Sequence, residues 1–521
     1  IDAFLRLKND RTCCVLKGYA GTGKTTAIST LIKLLPKYSL KTVLLAPTGR
    51  AAKVLGNYSK KDASTIHRKI YRKKSAMSPD MHFSLSPNLH KDTLFIIDEA
   101  SMIADEKTDY SGSSLLEDVI SYVYNQQNNR IIFVGDTAQL PPVGSLESPA
   151  LTKNYLEKFS LEISDVELTD VVRQEKESGI LYNATTIREL IRTAQEDFPK
   201  LQTKGFSDVF SMMGDKIIEG LNYAYDKYGL ENCLVICRSN KGANLFNQHI
   251  RHQILWREDE LTGGDLVMVV KNNYFWLAEE KGGFIANGDI GKITRVKNIH
   301  EMYGFRFADV QIHFEDIDQE PISCKVMLDT LYVESSNLPY DRQKVLFDEI
   351  IKDYEHLSTK RAKMEEMRKN PYFNAIQIKF AYAVTCHKAQ GGQWNVVFID
   401  QGYLTEEMLN TELLRWLYTA TTRATKELFF VPMEALLTEL EEITLTKYQN
   451  ITPEALGIVP KGMKKFTPAE RKLASAGDFR WYSPLLIPLG GMSVDGMLNA
   501  ISGRTAMLKK ELVVEKKEFL L

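Results

Sequence analysis

The run Gly18-Tyr-Ala-Gly-Thr-Gly-Lys-Thr25 constrains this 521-residue chain more than any other stretch. It follows a short apolar run, Cys13–Leu16, and opens a helical pattern at Lys24–Leu35. The spacing matches G-x-x-x-x-G-K-[ST]. Its glycines let backbone N–H groups close around phosphate oxygens, and the helix N-terminus adds partial positive charge. Such a loop works at the tip of a strand that feeds a helix, which calls for a parallel sheet covered on both faces. Gly18, Gly21, Thr22, Gly23, Lys24, Thr25 and Thr26 are therefore the expected nucleotide ligands. Lys24 would reach the β- and γ-phosphates of ATP, and Thr25 would hold Mg2+.

The surrounding pattern agrees. Thr42–Ala46, Leu94–Ile97 and Arg130–Val134 read as further strands, with a helix starting at Gly49–Leu55. A second alternation begins near Ser164 and includes Leu234–Cys237, Lys241–Leu255, Phe380–Val384, Val396–Ile399 and Glu412–Thr421. Between them, Asp265–Val270, Asp289–Val296, Phe305–Phe314 and Ile322–Leu328 are short strands split by turn residues, the signature of a small β-barrel. Asp341–Asn370 then carries 15 charged residues in 30 and should form one or two exposed helices. The expected α/β domains are 1–155 and 156–259 with 373–450, interrupted by 260–372. Residues 451–521 carry no readable motif.

Leu94-Phe-Ile-Ile-Asp98-Glu99 places two carboxylates at a strand end 73 residues past Thr25. Asp98 is expected to bind Mg2+, and Glu99 to polarise an attacking water. The next strand ends Gly135-Asp136-Thr-Ala-Gln139-Leu-Pro-Pro142, where Gln139, braced by the prolines, can sense the γ-phosphate. Arg173 and Arg423, in the other α/β half, are candidates to touch that phosphate across a cleft and stabilise transition-state charge. Taken singly, each is also an ordinary surface arginine.

Further runs follow in order: Ala46-Pro-Thr-Gly-Arg-Ala-Ala-Lys53, Thr65-Ile-His67, Gly135-Asp-x-x-Gln-Leu-Pro, Val384-Thr-Cys-His-Lys-Ala-Gln-Gly391 and Tyr418-Thr-Ala-Thr-Thr-Arg423-Ala. With the phosphate loop and the acidic pair they resemble the ordered motif set of superfamily-one helicases, in the RecD-like, Dda-like and Pif-like group. The resemblance covers roughly residues 10–435. It implies two RecA-like P-loop motor domains, a small pin insertion at 68–93 in the first, and an SH3-like β-barrel with charged helices inserted in the second. It carries Lys24, Glu99, Gln139, Arg173 and Arg423 onto hydrolysis, and Gly391 onto the nucleotide. It places Thr48, Thr65, His67, Thr385, His387 and Lys388 on single-stranded DNA and its duplex junctions; Pro47 and Arg68 are expected beside them, and Phe83 is either a stacking tip of the pin or an ordinary loop aromatic. It also implies 5′-to-3′ movement, a monomer, and replication or recombination proteins as partners. The family's adenine-reading glutamine upstream of the loop has no counterpart among residues 1–17.

The residues agree with a strand-binding role. Threonine and histidine at strand tips suit phosphate and sugar contacts, which position a strand without reading its bases. His67-Arg-Lys-Ile-Tyr-Arg-Lys-Lys74 adds five cationic side chains in eight residues, fitting either a solvated helix face or a backbone-tracking groove. Formal net charge is −1, from 66 basic and 67 acidic residues. Bulk charge therefore does not attract nucleic acid, and a local channel must. Six scattered cysteines without a C-x-x-C pair read as reduced, structural thiols. No apolar stretch is long enough to span a membrane. No charged start with an apolar run precedes the first strand, so the expected location is cytoplasmic and nucleoid-associated. Two other readings share these motifs: a motor subunit of a nuclease complex, and a DNA-stimulated ATPase that separates no strands.

Overall fold

Cys13–Leu16 forms a strand because both faces of it are covered, and all four side chains are fully buried. The structure, a computed structural model, describes residues 2–431 except 8, 10, 74–82, 107–111, 170–177, 195–198, 213–215, 278–284, 315–319 and 403–407. The C-terminal stretch 451–521 and Arg173 lie outside the described residues.

The first lobe contains strands β1 (Thr12–Gly18), β2 (Lys41–Ala46), β3 (Ala63–Thr65), β4 (Tyr71–Lys73), β5 (Phe83–Leu85), β6 (Thr93–Ile97), β7 (Arg130–Gly135) and β8 (Glu162–Leu168). Its helices are α1 (Asp2–Leu5), α2 (Lys24–Leu34), α3 (Gly49–Ser59), α4 (Ile66–Ile70), α5 (Leu115–Tyr124) and α6 (Lys153–Leu156). Six strands form one sheet in the order β3-β2-β6-β7-β1-β8, with every pairing parallel. β6 and β7 are buried along their whole length. Each large apolar side chain there contributes about 1.5–3 kcal/mol of transfer free energy. Because β7 lies between β1 and β6, the loop after Gly135 falls between the phosphate loop and the acidic pair. β4 and β5 pair as an antiparallel ribbon, Tyr71 opposite Leu85 and Lys73 opposite Phe83, within the segment expected to carry the pin.

The expected boundary at 155/156 gives Glu162–Leu168 to the second domain, but β8 pairs with β1 from Thr12↔Glu162 to Gly18↔Leu168. It is the sheet's edge, half-buried and polar, so its pattern lacks the continuous apolar signal of the central strands.

The second lobe adds α7 (Gly179–Thr193), β9 (Val209–Ser211), α8 (Ile217–Tyr228), β10 (Cys233–Cys237) and α9 (Asn240–His249). A widened turn, Ile250–Ile254, extends α9. The chain then leaves for a closed five-stranded barrel: β11 (Leu266–Val269), β12 (Ile290–Met302), β13 (Phe305–His313), β14 (Ile322–Met327) and β15 (Ile376–Phe380). Between β14 and β15 lie α10 (Tyr340–Lys352) and α11 (Lys360–Lys369). These charged helices are not wholly solvated, since Leu346, Ile350, Met364 and Met367 pack with Phe305, Phe307 and Met327. The chain returns as β16 (Ala383–Thr385), α12 (Cys386–Ala389), β17 (Trp394–Asp400), α13 (Thr411–Thr421) and β18 (Ala424–Val431). The second sheet, also all parallel, runs β16-β10-β17-β18-β9.

Phe380–Val384 reads as one strand in the sequence but is a junction between two. β15 closes the barrel against β11 and β14, and β16 joins the second sheet two residues later. The closing strand thus lies past the expected boundary at 372/373. Apolar residues continue through both strands, so periodicity shows no break.

A buried charge cluster fixes this junction. Asp265 and Arg251 are fully buried and paired side-on, with Nε and NH2 each 3.0 Å from one carboxylate oxygen. Asp265 also accepts from Tyr382 Oη at 2.7 Å and from Arg257 NH1 at 2.6 Å. Burial pushes its carboxyl up, but the hydrogen bonds and charge of Arg251 outweigh that and hold it below its ordinary value. Removing one partner of such a pair strands the other. Arg251→Met is expected to destabilise the chain by roughly 3–5 kcal/mol, read as a lower urea midpoint. An unchanged midpoint would show that the cluster does not hold the barrel in place.

Candidate nucleotide site and strand-binding face

Gly21 and Gly23 adopt φ of 81° and 85°, left-handed values that turn the loop between β1 and α2. Gly23 caps α2. A Cβ on Gly18 would come within 2.6 Å of Thr22 Oγ1 and 3.2 Å of Leu168 Cβ, so the loop's first position also needs glycine. Thr22 is buried and donates to the Tyr19 carbonyl at 2.8 Å. Lys24 Nζ donates to the Gly18 and Tyr19 carbonyls at 2.6 and 3.0 Å and lies 4.0 Å from Asp136 Oδ2. Thr25 and Thr26 follow in the first turn of α2. The loop therefore brings Gly18, Gly21, Thr22, Gly23, Lys24, Thr25 and Thr26 together as read.

Asp98 and Glu99 sit at the end of β6, with the Glu99 N–H donating to Asp98 Oδ1 at 2.9 Å. Glu99 adopts a left-handed φ of 51°, a strained conformation of the kind that concentrates at functional sites. Burial, then the neighbouring Glu99 charge, pushes Asp98 up to about 6. A confined carboxylate beside another carboxylate fits a divalent cation, so the donor set suits Mg2+. Gln139 is buried and its Oε1 has no hydrogen-bond partner. An unsatisfied buried acceptor at this strand tip fits a sensor of water or phosphate.

The second lobe reaches into this site. The Tyr418 phenol accepts from the Ala20 N–H at 2.9 Å and donates to Asp136 Oδ2 at 2.6 Å. Thr419 Oγ1 accepts from the Leu140 N–H, and Gln390 Nε2 donates to the Leu140 carbonyl. The Arg188 guanidinium, on α7, lies 4.7 Å over the Tyr19 ring. Arg423 is buried at the end of α13. Its Nε, NH1 and NH2 donate to Thr419 O, Gly392 O and Thr422 Oγ1, all in its own lobe. Arg423 thus braces the Gly391–Gly392 turn through the Gly392 carbonyl.

Gly391 itself, read as a nucleotide contact, has a φ of 74° and lies against Thr48 and Ala51, whose atoms would be 3.0 Å from a Cβ there. It seats the second lobe on the start of α3. Beside it, Arg50 stacks 4.0 Å over Trp394 and donates to the Gln393 carbonyl at 2.9 Å.

Thr48 and Thr65 cap α3 and α4, accepting from the Ala51 and Arg68 N–H groups. A hydroxyl that accepts from a cap keeps its own proton free to donate to a phosphate oxygen. Ala46 pairs with Thr65, so half-buried Pro47 and Thr48 emerge beside that cap. His67 is half-buried against Tyr71, and burial pushes its imidazole down to about 4. It is neutral near pH 7. Arg68 is exposed. Phe83 is in β5, opposite Lys73. In the second lobe, Thr385 ends β16 and precedes His387 and Lys388 on α12. Burial lowers His387 and pushes Lys388 down to about 8. Lys388 Nζ donates to Asn287 Oδ1 of the barrel.

Asp136, Tyr418 as a ligand of the first lobe, Tyr19, Arg188, Gln390 and Asn287 were not assigned roles from the sequence. Asp136 had a signal, a carboxylate ending an apolar strand. The Tyr418–Ala20 bond joins residues 398 positions apart and has no local signature.

The comparisons extend this geometry. A model described as an AAA domain matches residues 3–205, and one described as a UvrD-like helicase C-terminal domain matches 380–431. The chain is 25% identical over 427 residues to the ATP-dependent RecD2 DNA helicase of Deinococcus radiodurans, covering 80% of this chain and 46% of that one. It is 27% identical over 273 residues to the ATP-dependent DNA helicase dda of Enterobacteria phage T4, covering 50% and 57%. The chain thus spans about half the length of these two relatives. A solved structure of Pif1 helicase from Bacteroides, in complex with ADP-AlF3 and single-stranded DNA, is 16% identical. It covers 84% of this chain and 95% of that one, with a TM-score of 0.40. By these matches the chain resembles the Pif1/RecD-like group of superfamily-one helicases, a class of ATP-hydrolysing DNA helicases.

Two outcomes follow for the strand face. Lys388 is charged below about 8 and neutral above it, so affinity for single-stranded DNA should begin to fall as pH rises past about 8. Lys388→Arg should flatten that dependence in a fluorescence-anisotropy titration. Gly391→Ala should weaken strand binding through its strained φ, by about 1–2 kcal/mol, while affinity for a fluorescent ATP analogue stays unchanged. Loss of nucleotide affinity instead would restore Gly391 to the nucleotide.

Proposed function

We propose that this chain is an ATP-driven motor that tracks single-stranded DNA from 5′ to 3′ and opens duplex at the junction ahead of it. The observation that carries the reading is the cleft. One lobe supplies the phosphate loop, acidic pair and Gln139, and the other presses Tyr418, Thr419 and Gln390 onto those same loops. At the outer strands, Thr48, which emerges beside the Thr65 cap in one lobe, meets the Gly391 turn that follows Thr385–Lys388 of the other. A change in the cleft therefore changes the spacing of two strand grips.

Lys24 and the loop N–H groups bind the phosphates, Glu99 orients and deprotonates the attacking water, and Gln139 holds that water or the γ-phosphate. Thr25 and Asp98 would hold Mg2+, which supplies charge neutralisation at the phosphates. Arg173 and, from the second lobe, Arg423 are the proposed arginines, with Arg423 leaving its carbonyls to meet the transferring phosphoryl group. Threonine hydroxyls and the uncharged His67 contact phosphate and sugar, so the motor moves on any sequence. The β4–β5 ribbon would act as the pin, and the barrel as the SH3-like accessory domain. The working form is a monomer acting with replication or recombination proteins.

The test is strand displacement with ATP on forked substrates bearing only a 5′ or only a 3′ overhang. Unwinding is expected from the 5′ overhang alone, and Lys24→Ala should abolish it. Unwinding restricted to the 3′ overhang reverses the polarity. DNA-stimulated hydrolysis with no displacement on either fork removes strand separation and leaves an ATPase. Displacement that survives Lys24→Ala removes the mechanism.

A further inference from the structure

Tyr418 is nearly wholly buried between two loops of the opposite lobe. Its oxygen accepts from one, at the Ala20 N–H, and donates to the other, at Asp136. The next residue, Thr419, caps the Leu140 N–H, beside Gln139. The carbonyl of the same Thr419 accepts from Arg423 Nε. One turn and a half of α13 thus touches the Lys24 loop, the Gln139 loop and the arginine.

Resting on the motor reading above, we propose that Tyr418 is a positioning residue. It transmits movement of the phosphate loop and the Gln139 loop into α13, so that nucleotide occupancy in one lobe resets the arginine and strand grip of the other. The reason lies in the bonding. A phenol that accepts from a part-buried N–H and donates to a buried carboxylate has both capacities used, and breaking the second bond strands a charged group away from water. The bond to Asp136 is the stronger, because its acceptor is a carboxylate in a dry setting. Asp136 also accepts from the Ala138 N–H at 2.9 Å, which ties it to the Gln139 turn. Lys24 Nζ lies 4.0 Å from that carboxylate. As the ammonium turns toward a phosphate, Asp136 loses charge compensation and leans more heavily on the Tyr418 hydroxyl. The two loops and α13 then shift together.

Tyr418→Phe keeps the ring and deletes the hydroxyl. In the full chain, with ATP and a 5′-tailed fork, strands displaced per ATP hydrolysed should fall about tenfold while KM for ATP stays within about twofold. A purely structural loss would lower the melting temperature and raise KM without changing that ratio. Asp136→Asn should reduce the same ratio, and the double variant should be no worse than the worse single one. Should Tyr418→Phe fail to fold, Thr419→Val reads the neighbouring link and should show the same uncoupling. Wild-type strands per ATP in whichever variant folds, or multiplicative losses in the double variant, would overturn the proposal while leaving the motor intact. Absence of DNA-stimulated hydrolysis in the unaltered chain would remove the motor reading and this inference with it.

Discussion

A buried carboxylate beside the phosphate-loop lysine has to be satisfied, and in this chain part of that satisfaction comes from the other lobe. Asp136 is fully buried, and burial pushes its pKa up, while Lys24 and the Tyr418 hydroxyl oppose the shift. Because two of the groups that stabilise its charge lie on different lobes, the cleft cannot open without an electrostatic cost. The same geometry gives the phosphate loop a partner in the second lobe at Ala20. Closure of the cleft is thus written into the polar bonding as much as into apolar contact.

The groups proposed to face a strand are chemically milder. Thr48 and Thr65 are helix caps first, and their hydroxyl protons are what remain for a ligand. Burial keeps His67 neutral and weakens the hold of Lys388 on its proton. Contacts of this kind give modest, sequence-independent attraction with a shallow dependence on salt compared with a row of full charges. A motor needs a grip that can be released at each step, and on the proposed reading this face would supply such grips. The near-neutral net charge of the chain agrees, since long-range attraction contributes little.

Much of this was legible from residues. The phosphate loop, the acidic pair and the central strands announce themselves because glycine geometry and double-sided burial leave strong local patterns, as in Gly18–Thr25 and Leu94–Ile97. What escaped is what depends on pairing. β8 reads as the start of a new domain because an edge strand is polar. β15 and β16 read as one strand because apolar sequence continues through the seam between them. Arg423 was legible as a site residue, but its orientation toward Gly392 was not, and Tyr418 carried no local sign of its bond to Ala20. Gly391 was read for its motif. Its left-handed φ and its fit against Thr48 are tertiary features that the motif does not display.

The seam has a mechanical consequence. β11 and β15, the first and last strands of the barrel, pair antiparallel, and only Ala381 and Tyr382 separate β15 from the second sheet. Tyr382 is itself pinned by Asp265, and Arg251 enters the same cluster from the extension of α9. Only Ala381 and Tyr382 intervene on that side, so a load on the barrel passes through paired backbone into the lobe that carries α13. The barrel acts as a lever welded to the second lobe, and whatever pushes on it also pushes on the cleft.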